Sequence, residues 1–173
     1  MSLAAFADPI EVRNASLVAG DEGLAFNADF ALDLSARLEQ ALNSGVALHF
    51  VVEFELVRPR WYWFDEKLAS ERMQWRLVYH ALSRQYRASR GTLYQNFFSL
   101  TEALRTIGTV RNWAVAERIR PDGAYYAMAR MRLDTAQLPK PFQVSALTDR
   151  EWTLASDWVR VTINSGNQER ATP

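Results

Sequence analysis

The hydrophobic pattern is clearest across two stretches, Val46 to Arg60 and Glu71 to Arg84. In the first, each even position from Val46 to Leu56 carries an apolar side chain, while His49, Glu53 and Glu55 take odd positions. A repeat of two over that length is the signature of a half-buried strand. The second alternates with opposite parity: Met73, Trp75, Leu77, Tyr79 and Ala81 share one face, and Arg72, Gln74, Arg76, His80 and Arg84 fall mostly on the other. An antiparallel pairing with an odd index sum therefore lays apolar on apolar. A sum of 129 sets Phe54 against Trp75, Glu53 against Arg76 and His49 against His80, and sums of 127 or 131 keep the faces but change the partners.

The same reasoning extends along the chain. Ile10 to Ala19 and Leu24 to Leu34 form a first hairpin across Gly20-Asp21-Glu22-Gly23, whose glycines can supply positive φ. Ser35 caps a short helix with the apolar stripe Leu38, Ala41 and Leu42, and Gly45 ends it. The alternation weakens between Ser83 and Arg90, which predicts a turn or bulge before a short strand near Gly91 to Phe98. Ser99 and Glu102 make a capping box for a second helix, Leu100 to Ile107. Asn112 to Ile119 and Ala124 to Leu133 are predicted as a last hairpin around Arg120-Pro121-Asp122-Gly123. Leu138-Pro139-Lys140-Pro141 is expected to be extended, and Glu151 to Ile163 to form a closing strand with Trp152 and Trp158 in the core. Strands that arrive as hairpins, without a crossover-helix pattern, imply a mainly β fold. The expected form is an antiparallel β-sandwich with two short connecting helices; the alternative is an α+β fold, one bent antiparallel sheet with helices on one face.

Composition narrows the classes of function. The 173 residues suit one domain, expected over residues 8–163 with a disordered tail over 164–173. The formal charge is zero, so no global field draws in nucleic acid, and no apolar run is long enough to span a bilayer. The absence of cysteine removes disulfides, thiolate nucleophiles and thiolate metal sites. Leu3-Ala4-Ala5-Phe6-Ala7 before Asp8-Pro9 has the small-x-small form of a signal-peptidase site, so residues 1–7 are expected to be a signal-peptide remnant or an added tail, and the protein to be periplasmic.

Candidate chemistry is sparse. His49 and His80 are the two histidines of the chain, and the favoured register sets them side by side as half of a zinc or copper site with Glu53 or Glu55 on the same face; a third ligand is missing, so no metal and no other cofactor is expected. There is no Gly-x-Ser-x-Gly, no His-Glu-x-x-His and no glycine-rich phosphate loop, which argues against an enzyme. Asp65-Glu66 and Asp21-Glu22 sit in predicted turns, where exposed carboxylates serve solubility. Arg72, Arg76, Arg84, Arg130 and Arg132 make either an anion site or a face salt-bridged to Glu53 and Glu55.

The run Trp61-Tyr62-Trp63-Phe64 is the least routine feature. Four consecutive aromatics on an extended chain cannot all enter one core, so some must point outward at the tip of the central pair; internal packing of Trp61 and Trp63 is the competing account. Flanked by Arg58, Arg60 and Lys67, these rings suit a protein partner with an acidic rim or an anionic membrane surface.

The order of several short motifs resembles a known family. These are Phe30-Ala31-Leu32, Ala41 to Val46, Trp75 to Tyr79, Ser99 to Leu104, Leu133-Asp134 with Leu138-Pro139, and Trp152 to Trp158. Together they resemble an exported family of Gram-negative bacteria catalogued as domain of unknown function 4390, from about Ile10 to Ile163. The resemblance implies a periplasmic or envelope setting and, as partner, an envelope protein, with a membrane-bound sensor histidine kinase of the nitrogen-response type as one candidate. It carries over no catalytic residue. The expected function is a non-catalytic envelope interaction module, against the alternatives of a small-ligand or lipid carrier and a metal-dependent enzyme.

Overall fold

A computed structural model describes residues 10–117 and 124–165. The signal-like start at residues 1–7, the Arg120 to Gly123 turn and residues 166–173 lie outside the described residues. The fold is mainly β. Among the described residues nine strands, β1 (Ile10–Gly20), β2 (Gly23–Leu32), β3 (Leu48–Arg58), β4 (Glu66–His80), β5 (Gln85–Arg90), β6 (Leu93–Phe97), β7 (Thr109–Ala116), β8 (Tyr126–Leu133) and β9 (Val159–Ser165), join three α-helices, α1 (Ala36–Asn43), α2 (Leu100–Gly108) and α3 (Lys140–Thr148). The strands form one sheet in the order β6-β5-β4-β3-β8-β9-β1-β2-β7.

The sheet is continuous, so its connectivity is that of a bent sheet. It curls until its halves face each other across one core, as the layers of a sandwich do: Phe26 of β2 and Phe54 of β3 are four positions apart in the strand order, yet their ring centroids are 5.3 Å apart. The sheet is mixed, because β1 and β9 pair in parallel from Ser16 against Thr162 to Ala19 against Ser165. β9 thus runs through Asn164 and Ser165, two residues into the expected tail.

The apolar parity of β3 is as read from the sequence, and Leu48, Phe50, Val52, Phe54 and Leu56 are fully buried. Its register with β4 differs. Phe50 faces Trp75, Val52 faces Met73 and Glu53 faces Arg72, an index sum of 125 until a bulge at Leu56/Val57. The sum is odd, as the burial pattern demands, but shifted by four residues from the favoured value. Alternation specifies parity alone, and each two-residue step preserves it.

Two hairpin expectations need correction. β7 and β8 are not neighbours: β7 pairs with β2 at one sheet edge, and β8 lies between β3 and β9. Local turn chemistry suggests adjacency, but the long apolar strand β3 requires a partner on each side, and β8 fills that place. The weakly alternating stretch holds a turn at Ala81–Arg84 and then a strand, β5, which pairs with both β4 and β6.

The two expected helices form as read. Ser35 accepts a hydrogen bond from the Leu38 amide and Ser99 one from the Glu102 amide, and Gly45 takes φ +100 just past α1. Their buried faces, Leu38, Ala41 and Leu42 in α1 and Ala103, Leu104 and Ile107 in α2, join the same core as the inner sheet face. The third helix replaces the expected extended Pro segment. Pro139 stands at its N-cap and Pro141 in its first turn, where an amide hydrogen has no helical partner to lose. After α3 the chain packs Trp152 and Leu154 inward and bridges Ala155 to Arg132 before β9 begins.

Candidate functional site

The tip of the β3–β4 pair presents four consecutive exposed aromatic residues. Pro59 lies just past the end of β3, and β4 begins at Glu66, so residues 59–65 project beyond the sheet. Trp61 is 94% exposed, Tyr62 66%, Trp63 70% and Phe64 84%. The rings pack on each other instead of on the core: Trp61 meets Tyr62 edge-on at 5.2 Å and Trp63 meets Phe64 at 6.1 Å. Internal packing of Trp61 and Trp63 is therefore not what the structure shows.

The base of the tip is held by polar contacts. The Arg60 amide donates to Asp65 Oδ1 at 3.3 Å, its Nη2 donates to Glu66 Oε2 at 2.5 Å, and the Tyr126 hydroxyl donates to Asp65 Oδ2 at 3.1 Å. Arg58 lies 3.7 Å from Glu66, and Lys67 donates to Glu55 at 2.7 Å. Asp65 and Glu66 are thus structural anchors of the loop. Arg58 and Arg60 share Glu66 and Lys67 pairs with Glu55; with Asp65 beside them the collar is close to neutral rather than basic. Asp21 and Glu22 are exposed in the β1–β2 turn.

The histidines are not brought together. His49 faces Arg76, and His80, an exposed residue, faces Gln85 at the far end of β4, four residues or about 13 Å along the strand from Arg76. Burial pushes the His49 pKa down, Arg76 lowers it further, and Asp134 opposes both. His49 Nδ1 is buried without a hydrogen-bond partner among the described residues. No group of three or more His, Asp or Glu converges to hold a metal ion among the described residues.

The arginines form a salt-bridged face. Glu53, buried at the centre of β3, has Arg72 opposite on one side and Arg130 on the other. Arg130 Nε donates to Glu53 at 2.6 Å, Arg132 Nη2 at 3.2 Å, and Arg72 lies at 3.4 Å. Burial pushes the Glu53 pKa up, but the hydrogen bonds and charges of Arg132 and Arg130 outweigh it and hold the carboxyl below its ordinary value. Arg130 also lies over the half-buried Trp158 ring at 4.6 Å, whereas Trp152 is buried against Phe142. Arg84 sits apart, in the β4–β5 turn at φ +53.

A groove of about 480 Å³ opens where the outer edge of β7 comes beside β4, lined by Arg72, Met73, Gln74, Arg90, Arg111 and Trp113 among others. It was not legible in the sequence, because its walls come from strands far apart in the chain. Two of its arginines are engaged, Arg72 with Glu53 and Arg111 with Asp29 at 2.6 Å, and Arg90 lies over the Trp75 ring. Asn112, at φ +50, marks an irregularity of the β2–β7 ladder, and its amide donates to Asn27. Among the described residues the groove is lined by no histidine, carboxylate or hydroxyl group.

No curated protein and no solved structure matches the chain. A family model described as "Domain of unknown function (DUF4390)" matches residues 7–162. That match spans nearly the whole curled sheet with its helices, and the chain therefore belongs to this family of unknown function.

Proposed function

We propose that the protein is a non-catalytic interaction module of the cell envelope that docks a partner protein through Trp61, Tyr62, Trp63 and Phe64. The observation that carries this reading is the exposure of four consecutive aromatic rings on a loop whose base is tied by hydrogen bonds. Leaving that much apolar surface in water is unfavourable unless a partner covers it, and a braced loop loses little conformational freedom on binding. Aromatic anchors entering pockets dominate the energy of many protein interfaces. The neutral collar favours a protein over an anionic membrane, since Arg58, Arg60 and Lys67 already have carboxylate partners. The periplasmic setting, and the exported part of a sensor histidine kinase as partner, rest on the family resemblance.

The tip is tested by binding with the folded chain immobilised. Wild type and the single variants Trp61→Ser, Tyr62→Ser, Trp63→Ser and Phe64→Ser are compared for capture of the candidate kinase's exported part, and for binding to zwitterionic and anionic vesicles. The expected result is saturable binding to the protein, weakened about 30-fold or more by at least one Trp variant, with no vesicle binding. Tip-dependent binding to vesicles alone, or protein binding unchanged in all four variants, would overturn the reading.

A further inference from the structure

The sheet has two outermost strands, and they end differently. The free side of β7 lies beside β4 at the groove, whereas β6 projects with Leu93, Tyr94, Gln95 and Asn96 all exposed. Gly91, at φ +59, starts the two-residue turn that closes β5 on β6 with Arg90 opposite Leu93. In an antiparallel ladder closed this way, pairs that exchange backbone hydrogen bonds alternate with pairs that do not. Arg90–Leu93, Ala88–Gln95 and Tyr86–Phe97 then exchange bonds. Tyr94 and Asn96 turn their amide and carbonyl groups outward, toward the open edge.

Such an edge recognises an extended strand, and natural proteins commonly blunt one with charge or proline. This edge has neither. Although 23% of the chain is charged, the eleven residues from Gly91 to Thr101 contain no charged residue and no proline. The outward backbone groups are also held in place: Arg87 Nε donates to Asn96 Oδ1 at 3.0 Å and its guanidinium lies 4.5 Å from the centre of the Tyr94 ring. Leu93, on the inner side of the pleat, is 69% exposed, and among the described residues no strand lies beyond it.

We infer that β6 pairs with β6 of a second copy of this chain, antiparallel about a two-fold axis through Gln95. That register sets Tyr94 of each copy against Asn96 of the other, so their outward amides and carbonyls satisfy one another. It sets Leu93 beside Phe97 of the other copy, which covers the exposed leucine. Gln95 faces its own counterpart, and no charge is brought against like charge along the strand. The absence of charge is what makes a second copy a fitting occupant, since a strip without charge complements itself. This surface is separate from the aromatic tip.

Sedimentation velocity on the full chain, from about 1 µM to about 1 mM, reads the pairing directly; a short edge buries less than the roughly 1,000 Å² typical of stable complexes, so a weak dimer is expected. Asn96→Pro removes one outward donor per copy and no backbone bond to β5, although it also removes the side-chain acceptor of Arg87, and should weaken the dimer about tenfold or more. Gln95→Lys and Gln95→Glu each set like charges across the axis and should sediment as monomers, while an equimolar mixture of the two should recover the dimer. Circular dichroism confirms that each variant is folded. A wild-type monomer throughout the range, a dimer indifferent to all three substitutions, or charge variants that fail to recombine would each overturn the inference.

Discussion

Glu53 shows how one side chain ties three strands. It is buried on β3, and its charge is balanced by Arg72 from β4 and by Arg130 and Arg132 from β8. Removing one partner from a buried ion cluster leaves the others uncompensated; Glu53→Ala is expected to cost about 3 kcal/mol, measured by urea titration, because the arginines remain partly exposed. The depressed Glu53 pKa carries a pH signature. Its folded-state value lies below that of the unfolded chain, so the stabilisation is fully present above the unfolded value and is lost as pH falls through the folded one. The stability gap between wild type and Glu53→Gln should accordingly be widest at neutral pH and close on acidification. At the tip the expectation reverses: each of the four aromatic-to-serine substitutions should change stability by no more than about 0.5 kcal/mol, since the rings touch each other and solvent. A large drop in melting temperature for any of them would mean that the tip packs on the fold.

At the scale of elements, α2 is constrained at both ends. Its N-terminus is secured by Ser99, and Ser99→Ala should cost about 1 kcal/mol. Its C-terminus is limited by contact with β2: a Cβ at Gly108 would meet the Phe30 carbonyl oxygen and lie 2.7 Å from Leu32 Cδ1. The oxygen belongs to a hydrogen-bonded strand and cannot swing aside. Gly108→Ala is therefore expected to destabilise by about 1–3 kcal/mol through overpacking, although alanine normally improves a helix. Both changes are read by thermal or urea unfolding, and a neutral Gly108→Ala would place α2 farther from the sheet than the structure has it. Gly108 is legible in the sequence as a helix terminator; its role as a close-approach position is not, because Phe30 is distant in the chain.

For the molecule as a whole, the curl of the sheet puts β2 and β3 in one core although three other strands complete the path between them. Phe26 and Phe54 are both fully buried and in ring contact, and Phe26 also meets Trp113 of β7. Phe54→Ala should cost about 3–5 kcal/mol, and it should lower a single unfolding transition seen alike by far-ultraviolet and near-ultraviolet circular dichroism. Two separated transitions would mean that the halves of the sheet are stabilised independently.

The sequence by itself determined the β class, the parity of β3 and β4, the first hairpin, both serine-capped helices, and the presence of aromatics that one core could not absorb. These follow from periodicity and local backbone chemistry, which act over a few residues. Only the tertiary structure decided the register of β3 on β4, the placement of β8 against β3, the parallel pairing of β1 with β9 and the solvation of all four rings at the tip. A period of two is unchanged by a shift of two, so parity survives where register does not. The histidine pair expected from the favoured register was lost for that reason, and Glu53 met Arg72 instead of Arg76. Helix α3 escaped because proline forbids a helix interior but suits its first turn, and the chain beyond the first turn decides between them. Partners across the sheet are selected by the summed burial of whole strands, and that quantity exists only once the strands have assembled.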